Sequence, residues 1–90
     1  MNYVEAIVTS AGSADLPRIQ TWFEQQGFQT VPMKMGLLVT GDEDLFRRVF
    51  EVSADEIRAR TERDVDLSKP AAIANVVTSI TIRRLPSTHS

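Results

Sequence analysis

Ninety residues, 42% of them hydrophobic and 24% charged, supply one core and little beyond it, which excludes a disordered chain, a membrane span and a two-domain protein. A net charge of −2 sets aside a nucleic-acid platform, which needs a basic face against phosphates. Without cysteine there are no disulfides, thiolate metal sites or thiol nucleophiles. One domain over residues 1–90 is expected, with its core at about 3–84 and no cofactor.

The opening "MNYVEAIVTS" lacks a basic region followed by an apolar run, so no secretory signal is read and a cytoplasmic protein is the expectation. Val4, Ala6 and Val8 alternate with Tyr3, Glu5 and Ile7, the period-two pattern of a strand with one buried face. A helix follows, because Leu16, Ile19 and Phe23 recur on one helical face. Ser13 or Asp15 is the expected N-cap, Pro17 suits only the first turn, and Gly27 fits a left-handed C-terminal cap.

"FQTVPMK" and "MGLLVTG" read as two short strands around a turn, with Leu37 and Val39 facing away from Leu38 and Thr40. Pro32 assigns the first of these to an edge. Asp42 then caps a second helix that buries Leu45, Phe46, Val49 and Phe50. Residues 53–75 are an irregular or short-helical insertion. Within it Ser53 and Glu56 have capping-box spacing, Ile57 is the apolar anchor, and a helical turn is expected from Ser68. "VVTSITIRRL" closes the core as a strand, with Val76, Thr78, Ile80 and Ile82 on one face and Val77, Ser79, Thr81 and Arg83 on the other. Residues 85–90 form a polar tail.

Strand, helix, strand, strand, helix, strand is the order of an α+β ferredoxin-like βαββαβ sandwich, a four-stranded antiparallel sheet with two helices on one face. The chemistry is sparse. His89, the single histidine, lies at the chain end and supports no Ser-His-Asp or Cys-His system. Asp42, Glu43 and Asp44 are helix-start acids before they are metal ligands. Arg47, Arg48, Arg58, Arg60 and Arg63 are interleaved with acids, the pattern of a solvated surface. The four glycines form no phosphate-binding cluster, and the central strands lack the aromatics of an RNA-binding sheet. Trp22 is a helix-flank packing residue. A non-catalytic domain is therefore expected, with its candidate contact surface on the open sheet face: Tyr3, Glu5, Ile7, Leu38, Val77, Ser79 and Thr81.

The run "IQTWFEQQGFQTVPMKMGLLVTGDEDLFRRVFEV" resembles the activation-domain pattern of kumamolisin-type (sedolisin) propeptides. The residues that carry it are Trp22, Phe23, Gly27, Phe28, Val31, Leu37, Val39, Gly41, Val49 and Phe50, and "KPAAIANVVTSI" is similar to the Pro-containing turn and last strand of such domains. Subtilisin propeptides and their freestanding inhibitor relatives look like the same architecture. The resemblance implies a domain that docks its sheet on a serine protease, as inhibitor or chaperone, with the segment after the last strand in the substrate cleft. By position that segment is Arg84, Leu85, Pro86, Ser87, Thr88, His89 and Ser90. The alternative is an interaction or homo-oligomerisation module of the same fold, unrelated to proteolysis.

Overall fold

The first strand's alternation sets the layers. A computed structural model describes residues 3–34 and 36–84 of the chain. Strand β1, Tyr3–Ser10, buries Val4, Ala6 and Val8 and turns Tyr3, Glu5, Ile7 and Thr9 the other way. Helix α1, Leu16–Gln26, packs Ile19 and Phe23 onto the buried side. Strands β2, Gln29–Pro32, and β3, Gly36–Asp42, follow, and helix α2, Glu43–Phe50, adds Phe46 and Phe50 to the same core. Helix α3, Ala54–Arg58, sinks Ile57 into that core. Strand β4, Val65–Asp66, and strand β5, Val77–Ile82, complete a five-stranded sheet in the order β2-β3-β1-β5-β4, antiparallel throughout.

The expected four strands thus become five. Val65 and Asp66 lie opposite Ile82 and Thr81, and the Leu67 amide donates to the Ile80 carbonyl at 2.8 Å. So short a strand carries no periodicity to read, and only its distant partner makes it one. In place of a helical turn from Ser68 there are tight turns, with Ile73 N donating to Pro70 O at 3.0 Å and Val76 N to Ile73 O at 3.1 Å. They tuck Leu67, Ile73 and Val76 under the sheet.

Local chemistry explains the helix ends. Gly27 takes φ 107°, its amide donates to Glu24 O at 3.1 Å, and Phe28 N donates to Phe23 O at 3.1 Å. That pair of bonds is a Schellman motif, and its usual apolar contact is the edge-to-face pair Phe23–Phe28, 5.5 Å between centroids. The N-terminus of α1 departs from expectation. Ser13–Asp15 form a 3-10 turn and the Asp15 carboxylate makes no capping bond, while Pro17 does sit in the first turn. Asp42 caps α2 as expected, accepting from Leu45 N at 2.8 Å, and Ser53 and Glu56 form the full capping box. Each cap satisfies amides that a helix start leaves without partners.

Pro32 is placed where its missing N–H costs nothing. Met33 N donates to Gly36 O at 2.9 Å, and in an antiparallel pair bonded and non-bonded positions alternate. Val31 and Gln29 therefore bond inward to β3, whereas Thr30 and Pro32 direct their backbone groups away from it. Side chains then fasten this edge strand to α1: the Thr30 hydroxyl donates to Glu24 Oε2 at 2.8 Å and accepts from Gln20 Nε2 at 3.1 Å.

Two stability changes follow. Phe28 is buried and meets the rings of Phe23, Phe46 and Phe50 at 5.5, 4.9 and 6.0 Å, so Phe28→Ala lowers the unfolding free energy by about 3–5 kcal/mol. Glu51, which ends α2 at φ 56° and ψ 39°, is a non-glycine residue in the left-handed region. Glu51→Gly raises stability by about 0.5–1 kcal/mol, read as a higher urea midpoint at unchanged slope.

Candidate binding face

All three helices pack into a single core with one side of the sheet, which leaves the other side open. Register arranges that open side into rows. Val31, Leu38, Ile7, Thr81 and Asp66 are successive cross-strand neighbours over all five strands. Gln29, Thr40 and Glu5 form a second row, extended by Arg83, whose amide donates to Glu5 O at 3.2 Å. Gly36, Thr9 and Ser79 form a third. The first row grades from apolar at the β2 edge to polar at the β4 edge, where the Thr81 hydroxyl donates to Asp66 Oδ1 at 3.0 Å.

Most of the face residues expected from the sequence lie here. Tyr3, 63% exposed, stands at the start of β1, where its carbonyl accepts from Arg60 Nη1 at 3.3 Å. Glu5 is exposed, and Ile7, Leu38, Ser79 and Thr81 are half-buried. Val77 does not lie here. It is 3% exposed and belongs to the core. The pairing shifts between Thr9 and Ser10: Thr9 lies opposite Ser79, but Ser10 lies opposite Val77. Thr78 is the extra residue of a β-bulge, and such an insertion reverses the facing of the strand residue before it. Hence Val77 turns inward and Thr78 is exposed, the opposite of simple alternation.

Arg84 is exposed, with its amide donating to Asp64 Oδ1 at 2.7 Å. Leu85, Pro86, Ser87 and Thr88 lie outside the described residues, as does His89. The acidic run at α2 is accounted for by the helix itself, since Asp42 caps it and Asp44 lies 3.7 Å from Arg47. Among the described residues no group of three acids or histidines is placed to hold a metal ion, and no helix is long and apolar enough to cross a membrane. Trp22 is half-buried against the core with its ring edge-to-face on Phe23 at 5.0 Å.

Sequence reasoning missed three contributors. Val31, 55% exposed, and Met33, 38% exposed, extend the apolar end of the face. Counting back from the Met33–Gly36 closure of the hairpin would have paired Val31 with Leu38. The third is a groove of about 720 Å³ at the opposite end. Ile7, Thr9, Ser79 and Thr81 form its floor, and residues 62–64 with Arg83 and Arg84 form its sides. Residues 62–64 arrive there only because β4 pairs with β5, a contact with no local signal.

The arrangement offers apolar contact at one end and hydroxyls and charges at the other, which suits adhesion to another surface. No protein-family model matches the chain, and neither a curated protein nor a solved structure shows significant similarity to it.

The bulge has a direct test. Val77→Ala lowers stability by about 2 kcal/mol, whereas Ser79→Ala on the open face changes it by no more than about 0.5 kcal/mol. Equal effects in chemical denaturation would contradict this register.

Proposed function

We propose that the chain is a non-catalytic protein-binding domain that acts through the open face of its sheet, as a propeptide-like inhibitor or chaperone of a subtilisin- or sedolisin-type serine protease. The observation that carries this reading is the uncovered row Val31, Leu38 and Ile7. Apolar side chains gathered on one uncovered face of a small domain are the mark of a contact surface. The fold is best read as a ferredoxin-like sandwich with one added edge strand. In support, the order β2-β3-β1-β5 has α1 between β1 and β2 and α2 between β3 and β5. That is the architecture the sequence resemblance implies.

The root of the tail also supports the reading. Arg83 N is tied to Glu5 O and Arg84 N to Asp64 Oδ1, so the backbone leading to residue 85 leaves from a fixed point beside the open face. Anchoring of this kind lowers the ordering cost when a following segment is bound by a partner.

The test is inhibition of a panel of subtilisin-like and sedolisin-like proteases by the intact chain, Ile7→Glu, Leu38→Glu and a chain lacking residues 85–90. The intact chain is expected to inhibit at least one enzyme. Each face substitution should weaken it roughly thirtyfold or more, as for a central contact residue, and the truncation should abolish cleft blockade. Circular dichroism checks that the variants stay folded. Inhibition of neither protease type would overturn the protease reading. A face-to-face dimer in light scattering, dispersed by Ile7→Glu, would instead assign the same face to a second copy of the chain.

A further inference from the structure

We infer that the protein partner presents carboxylates to the β5 end of the open face. The inference rests on the protein-binding reading and specifies its chemistry. Arg63, Arg83 and Arg84 line the groove. Among the described residues the ion pairs are Arg47–Asp44 and Arg58–Asp55, so none of these three guanidinium groups is matched to an acid within the domain. Two of the neighbouring acids, both exposed, already accept hydrogen bonds from the domain. Asp64 accepts the Arg84 amide at 2.7 Å, and Asp66, beside the groove, accepts the Thr81 hydroxyl at 3.0 Å.

The outcome is an imbalance of unused donors. Each guanidinium offers five N–H groups in a planar fork that matches a carboxylate, and the Thr9 and Ser79 hydroxyls on the floor add neutral donors. Among the described residues Glu62 is the lining acid whose carboxylate accepts no hydrogen bond, and it is exposed. The lining residues thus carry one more positive than negative charge within a chain of net −2. Partner carboxylates would find forked donors here beside the apolar row, so that charge fixes the orientation of a contact whose adhesion is apolar.

The experiment is an NMR titration of the full chain with hexaglutamate peptide at low salt. Saturable shifts are expected at the amides of Thr9, Ser79, Thr81 and Arg83. Hexalysine should produce none, and a hexathymidine oligonucleotide should bind more weakly. Affinity should fall roughly tenfold in the triple variant Arg63→Ala, Arg83→Ala, Arg84→Ala, given what exposed charge pairs contribute. It should hold in Arg47→Ala, Arg48→Ala on α2. Retained dispersion in the spectra shows that each variant is folded. Absence of shifts, an equal response to hexalysine, tighter binding of the oligonucleotide, or unchanged affinity in the triple variant would overturn the inference. A chain that inhibits a protease through Ile7 and Leu38 yet ignores hexaglutamate would sink this inference alone and leave the binding reading in place.

Discussion

Phe28 is the point on which the rest of the structure depends. It closes the stop of α1 through the Schellman motif, opens the approach to β2, and meets Phe46 and Phe50 of α2. It also determines a residue far from it in sequence. A Cβ on Gly41 would lie 2.8 Å from the Phe28 ring and 3.0 Å from Leu45, so β3 can pass beneath the ring only as glycine at that position. One side chain thereby couples a helix end, an edge strand, a central strand and a second helix. Because aromatic rings bury large areas and pair edge to face, this cluster sets how the helices sit on the sheet.

The same concentration of apolar mass makes the domain one-sided. The buried apolar side chains of β1, β3 and β5 all face α1, α2, α3 and the turns under the sheet. Among the described residues no second layer of helices lies on the opposite side. In a chain this short, there is too little sequence to cover both faces. The open face is a consequence of size and of where the phenylalanines fall, and the rows across it are a consequence of strand register.

Much of this was legible in local pattern. The alternation of Val4, Ala6 and Val8, the caps at Asp42 and Ser53, Gly27 as the stop of α1, and the edge position of Pro32 are all signals that a few neighbouring residues carry. What escaped depends on partners far along the chain. β4 is a strand only because Ile82 and Thr81 lie opposite it, and Val77 turns inward only because Ser10 claims it across a bulge. Of the candidate face, the residues on β1 and β3 were readable from parity alone. The β5 residues Ser79 and Thr81 were readable because they lie beyond the bulge, and Val77, before it, was misread. The groove needed both the bulge-corrected register and the return of residues 62–64, neither of which leaves a periodic trace.

Pro32 shapes how anything can approach. The edge of a sheet normally recruits another chain through its free backbone groups. On β2 the groups directed outward belong to Thr30 and Pro32, and Pro32 has no hydrogen to give. Strand addition at this edge would halt after a single residue. At this edge, then, contact with another chain falls to side chains rather than to backbone groups. Backbone pairing accepts nearly any extended peptide, but a side-chain contact discriminates. At the β2 edge the proline that ends the strand thus limits the least selective mode of association, and with it the growth of one sheet into the next from that side.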